Sequence, residues 1–130
     1  MAKAVKRTKL ISLPKLLKKA QIVFNRWIRE RDMEIGCISC GGEVQQAGHY
    51  FSQGQHSSLR FDEFNVNGQC IRCNLFLSGN LIRYGEGINF RYGTDIYVNL
   101  LAKSRNPLKK WTREELNEII NKYGHTNSKP

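Results

Sequence analysis

A chain of 130 residues has room for one compact core with helical extensions, not for a second independent core. Hydrophobic residues at 40% and charged residues at 25% are the proportions of a globular protein in water, and no run approaches the roughly 20 apolar residues needed to cross a bilayer, which excludes a transmembrane role. The 21 Lys and Arg against 11 Asp and Glu leave a formal charge of +10, which favours a polyanionic partner because cationic side chains gain affinity by releasing counterions from phosphates.

Ten of the basic residues lie in residues 1–31, where Glu30 is the one acid. Residues 1–11 read as a basic, flexible N-terminus. This opening has neither a continuous apolar segment nor a small-residue cleavage site, so it is no secretory signal, and the protein is expected in the cytoplasm. Residues 12–36 predict a basic amphipathic helix. Leu13, Leu16, Leu17, Ala20, Val23, Phe24, Trp27 and Ile28 recur at three and four residues and form one apolar stripe, with Lys15, Lys18, Lys19, Arg26 and Arg29 mostly on the other side. Pro14 is tolerated in the first turn, and Gly36 can close the end. The stripe is read as core or as dimer surface.

Residues 37–81 are short on helical periodicity. They read as strands over 44–51 and 59–69 joined by a loop at 52–58, with Tyr50, Phe51, Phe61 and Phe64 as the strands' small core, followed by a short helix through 74–77. Residues 82–123 complete a helical region with helices over 80–92 and 94–104, although Gly85 and Gly87 weaken the first. The last helix is better specified: Thr112 and Glu115 make a capping box, Trp111 and Leu116 a staple, and Leu116, Ile119, Ile120 and Tyr123 a buried stripe. Residues 124–130, with His125, are a tail.

Cys37, Cys40, Cys70 and Cys73 form two C-x-x-C pairs with 29 residues between them. In a reducing cytosol, two such knuckles supply the four thiolates of a tetrahedral structural zinc, whereas a redox dithiol would need only one pair. Glycines after Cys40 let the backbone fold tightly around sulfur. Zinc with four thiolates lowers the formal charge from +10 to +8, still strongly basic. The expected architecture is α+β, a small zinc-stabilised core flanked by N-terminal and C-terminal helices.

Between the knuckles, His49 falls on a strand, Asn65 lies five residues before Cys70, and Asn74 directly follows Cys73. This order resembles the HNH, or ββα-metal, nucleases, with His49, Asn65 and Asn74 on the motif's three positions. The blocks SLPKLLKKAQIVFNRWIRERD, CISCG, QAGHYFSQGQHSSLRF, NGQCIRCNLFLSGNLIRYGEGI and KKWTREELNEI are, in order, similar to the NinG (Rap) recombination proteins of phages over about residues 12–123. That resemblance implies structure-specific cleavage of branched recombination intermediates, Holliday junctions and D-loops, in a bacterial host cytoplasm.

Hydrolysing a phosphodiester requires a base to activate water, a cation to stabilise developing charge, and cationic groups to position the backbone. His49 suits the base, because neutral imidazole titrates near working pH. Asn74 offers an amide oxygen to Mg²⁺ or Mn²⁺, while Asn65, or Asn67 in its place, braces the loop or orients the imidazole. Many HNH nucleases carry an Asp just before the base as a second metal ligand, and position 48 here is Gly. Asp62 or Glu63 could supply the carboxylate, water and substrate phosphate could complete the shell, or His49 or His56 could bind the ion directly. Lys15, Lys18, Lys19 and Arg26 are candidates for phosphate contacts along the first helix, and Arg60 and Arg72 flank the site. Two incisions in one junction predict a homodimer, contacting through the first helix's stripe or the last helix. The competing reading is a zinc-bound DNA-binding accessory protein without catalysis, which Gly48 favours and the joint positions of His49, Asn65 and Asn74 oppose.

Overall fold

A computed structural model of the chain describes residues 10–125. The chain runs through helix α1 (Leu13–Asp32), strand β1 (Gln46–His49), a 3-10 turn (Ser57–Leu59), strand β2 (Val66–Gln69), a π-helical turn (Arg72–Phe76), and helices α2 (Leu81–Tyr92), α3 (Thr94–Lys103) and α4 (Arg113–Tyr123). This is a mixed α+β arrangement around one two-stranded antiparallel sheet, in the register Gln46↔Gln69 to His49↔Val66. Among the described residues no helix is long and apolar enough to cross a membrane.

Ser12 caps α1, its Oγ accepting from the Lys15 N–H, and Pro14 sits in the first turn where its missing N–H costs nothing. Leu16, Ala20, Phe24 and Ile28, one turn apart, are buried against β2 and α4. Phe24 meets Tyr123 edge-on at 4.7 Å and Phe61 at 5.6 Å, with Leu116 and Val66 in the same cluster. Burying one such ring contributes about 1.5–3 kcal/mol. The stripe is therefore core, covered within the chain by α4 and the sheet, and is not available as a dimer surface. Leu13 alone falls outside it, 44% exposed at the first turn. After α1 the Gly36 N–H bonds back to the Asp32 carbonyl with φ at 101°, and a Cβ there would stand 2.7 Å from the Gly41 carbonyl oxygen. That close approach draws the first knuckle under the helix end.

Both strands are much shorter than the 44–51 and 59–69 predicted from pattern. For the second, a 3-10 turn at Ser57–Leu59 is followed by an Asx turn in which Asp62 Oδ1 accepts from the N–H groups of Phe64 and Asn65, so the extended state begins only at Val66. Nor do the four strand aromatics share a core. Phe61 joins the α1–α4 cluster, Tyr50 and Phe51 pack with Leu59, Tyr84, Ile88 and Leu100, and Phe64 is exposed, its ring against Tyr92. The helix expected at 74–77 is instead a π turn beginning at Arg72.

α2 tolerates its glycines because it packs too closely for anything larger. A Cβ on Gly87 would collide with the Ile38 carbonyl, and one on Gly85 would stand 2.9 Å from the Tyr50 hydroxyl. At the far end the capping box of α4 is complete, with Glu115 N–H on Thr112 Oγ1 and Thr112 N–H on Glu115 Oε1. Residues 1–9 and 126–130, the ends of the predicted basic arm and tail, lie outside the described residues.

Candidate functional site

The sulfurs of Cys37, Cys40, Cys70 and Cys73 all lie within 4.8 Å of one another, with Cys40 and Cys70 3.6 Å apart. Four sulfurs at the usual zinc–thiolate length of ~2.3 Å stand about 3.8 Å apart on a tetrahedron, so the cluster could hold a metal ion such as zinc. Backbone N–H groups of Gly42 and Cys73 point at Cys40 and Cys70 sulfur, and the Asn80 amide donates to Cys73 sulfur at 3.4 Å. Burial pushes the Cys73 thiol up to about 12, with its sulfur neighbours adding to the rise against the Asn80 amide. Four thiols this crowded do not ionise together unaided; a dication among them would stabilise all four thiolates.

His49 closes β1 and faces α1. Its Nε2 lies 3.2 Å from the Arg60 carbonyl oxygen and 3.4 Å from Gln21 Nε2. Gln21 Nε2 spends its hydrogens on Asn25 Oδ1 and the same Arg60 carbonyl, and a carbonyl only accepts, so His49 Nε2 carries a hydrogen. The lone pair is thereby left on Nδ1. Burial pushes the imidazole down to about 4, partly offset by the Arg60 carbonyl, so the ring does not titrate near working pH as the sequence suggests but is neutral throughout that range. Asn65 does not touch the imidazole. Fully buried, it accepts from the Phe51 N–H and donates to the Phe51 and Leu59 carbonyls, pinning the 51–65 loop that carries Arg60.

The pleat sends position 48 to the opposite face. Asn74 donates to Gln46 Oε1 at 2.7 Å, and its own Oδ1 lies 2.8 Å from where a Cβ on Gly48 would stand. The remaining space there is taken by Gln69 Oε1, with which that Cβ would collide. Gln69 is fully buried; its Nε2 donates to Ser39 Oγ and the Gly79 carbonyl, while Oε1 has no hydrogen-bond partner. Leaving such an acceptor unpaired costs about 1–3 kcal/mol.

The other candidates are placed differently. Asp62 is engaged in its turn and by Lys103 at 3.3 Å, Glu63 accepts from the Tyr123 hydroxyl, and His56 Nδ1 donates to the Ser104 carbonyl. Among the described residues none of the three joins a metal-ligating cluster. Arg60 is brought to His49: its carbonyl meets Nε2, its Nε donates to Gln21 Oε1, and with Lys18, Gln21, Asn25 and Gln53 it lines an open depression on the α1 side that does not include the imidazole. Lys15, Lys18, Lys19 and Arg26 are exposed along α1, Arg72 is exposed on the π turn, and His125 is exposed beyond α4.

Gln21, Gln69, Asp32 and Tyr84 escaped sequence reasoning. Gln21 interrupts an apolar stripe, a polar residue on a buried face, and that signal was readable. Asn65, Asn67 and Gln69 alternate along one strand, marking a buried amide face. Asp32 gave no signal: it pairs with Arg31 at 2.7 Å and accepts from the Gly68 N–H at 2.7 Å, locking α1 to β2. Tyr84 sends its hydroxyl to the carbonyls of Gly48 and Asn65, fixing both ends of the site from α2.

The family described as "Bacteriophage Lambda NinG protein" matches residues 1–129. The chain belongs to the NinG family. It is 39% identical over 110 residues to protein ninG of Escherichia phage 933W, 38% to that of Salmonella phage P22 and 37% to that of Escherichia phage lambda, each match covering 82% of this chain. The NinG chain spans about half the length of these curated relatives, 53–54% of each. No solved structure matches it. The cysteine cluster and the residues around His49 all lie within the matched span.

Proposed function

We propose that this NinG protein is a metal-dependent endonuclease that cuts branched DNA, with His49 as the base. The observation that carries the reading is the His49 hydrogen bond to the Arg60 carbonyl, which fixes the tautomer and leaves the lone pair on Nδ1. His49 Nδ1 takes a proton from water, and Arg60 and Lys18 hold flanking phosphates of the DNA backbone on the α1 side. Asn65 holds the loop that supplies the Arg60 carbonyl and is a positioning residue. The converging amide oxygens of Asn74 and Gln69, one of them unpaired, fit a hard cation's preference for oxygen donors. Such a cation supplies charge stabilisation on the phosphorane and the leaving oxygen. The four cysteines hold structural zinc, bracing the strand that bears the base against the turn that bears Asn74.

Branched DNA as substrate rests on the resemblance described above and on the +10 charge. Because two strands are cut, the acting unit is a homodimer, its contact lying away from the buried stripe of α1. The test is cleavage of a four-way junction beside a linear duplex of the same sequence, in Mg²⁺ and in Mn²⁺. The reading expects the junction to be cut preferentially, and Asn74→Ala to lose cleavage with partial recovery at higher metal concentration. Junction binding without cleavage in either metal would favour the accessory DNA-binding reading.

A further inference from the structure

We infer that Gln69 Oε1 is a ligand of the catalytic cation, standing in for the acid that position 48 lacks and sharing the ion with Asn74 Oδ1. The inference rests on the metal-dependent reading above and names the residue that completes its site. Gln69 and Gly48 lie on the same face of the hairpin, two residue pairs apart in the register Gln46↔Gln69, Ala47↔Gly68, Gly48↔Asn67. A glycine at 48 leaves a cradle that its own Cβ would fill, and the Gln69 carbonyl oxygen fills it. Both amide oxygens, Gln69 Oε1 and Asn74 Oδ1, lie within 2.8 Å of that one point, close enough for a single cation to bridge.

The orientation of the amide is fixed by its partners. Gln69 Nε2 is 2.9 Å from the Gly79 carbonyl and 2.9 Å from Ser39 Oγ, and because the carbonyl can only accept, the nitrogen must be on that side. The oxygen is thus held toward Gly48 and Asn74 with no donor to satisfy it, in a side chain with no exposed surface. A buried orphan acceptor in an otherwise well-bonded amide network calls for a partner, and a hard cation is the partner that two converging carbonyl oxygens attract. Asn74 is partly exposed, so water and a phosphate oxygen would reach an ion held by these two oxygens from its side.

The experiment uses the zinc-loaded full chain with Mn²⁺ alone and no DNA. In a ¹⁵N spectrum, paramagnetic broadening should fall first on the side-chain amides of Gln69 and Asn74, ahead of Gln45, Gln53 and Gln55. Gln69→Ala should weaken Mn²⁺ binding by at least ~10-fold. Gly48→Asp combined with Gln69→Ala should restore it, because the smaller side chain clears the space the aspartate needs; Gly48→Asp alone should not fold well. His49→Ala should bind Mn²⁺ like the unmodified protein while losing cleavage, which separates the ligand assignment from the nuclease reading. Should Gln69→Ala lose zinc and unfold, the broadening pattern of the unmodified chain decides. Broadening that spares Gln69, or a folded Gln69→Ala that binds Mn²⁺ undiminished, would overturn the assignment.

Discussion

The face of the β1–β2 hairpin that meets α1 is closed largely by carbon; the face that meets the knuckles is closed by amides and sulfur. On the first, Ala47 and Val66 pack with Phe24, Ile28 and Leu116. On the second, Gln46, Asn74, Gln69 and Ser39 bond to one another and to backbone around the four thiols. The difference teaches how one short strand serves two ends. Alternation puts His49 on the packed face, where burial keeps it neutral and one carbonyl fixes its tautomer, and puts position 48 on the polar face, where oxygen atoms converge. Stability is drawn from one side, and the proposed cation site lies on the other.

Removing the metal should break this symmetry most. In Cys73→Ser, or after chelation, amide protection in residues 37–42 and 69–80 should fall at least roughly 100-fold, while α1 and α4 keep most of theirs. Hydrogen exchange followed by mass spectrometry reads both faces at once; equal loss on both would show that the carbon face cannot stand without the sulfur one.

Next in size is the pin between the faces. Asp32→Ala leaves Arg31 and the Gly68 N–H without their carboxylate, and should cost about 3–5 kcal/mol in urea unfolding. A loss under ~1 kcal/mol would mean water replaces the carboxylate freely.

The His49 imidazole has a folded pKa near 4, below its unfolded value, so unfolded chains bind more protons between those two values. Its contribution is therefore complete above about pH 6.5, declines as pH falls, and is exhausted below about 4. Between pH 7 and pH 5 the unmodified protein should lose about 1–2 kcal/mol more than His49→Gln, a difference that cancels the knuckles' own pH response. Parallel losses would show a ring as well solvated folded as unfolded. Smallest, Thr112→Ala should cost about 1 kcal/mol by deleting the α4 cap, with zinc content unchanged.

Much of this was legible in residues 12–36 and 111–123, where period, cap and stop signals agree and packing merely confirms them. The cysteine spacing likewise brought its four sulfurs together. What pattern could not give were features set by tertiary contact. Asp62 shortens β2 through an Asx turn that only its neighbours' N–H groups reveal. Gln69 is, by pattern, one more polar residue before a cysteine; its meaning comes from the cradle at Gly48 on the neighbouring strand, which its Oε1 fills. The partner of His49 is a backbone carbonyl, which no sequence pattern names.

Cleavage chemistry itself is tested most directly by single-turnover cutting of a four-way junction by the unmodified protein and His49→Ala, side by side, in Mg²⁺. With His49 as the base, the rate should fall roughly 10²- to 10⁴-fold, with junction affinity and zinc content unchanged. A His49→Ala protein that cuts at the unmodified rate would contradict that role.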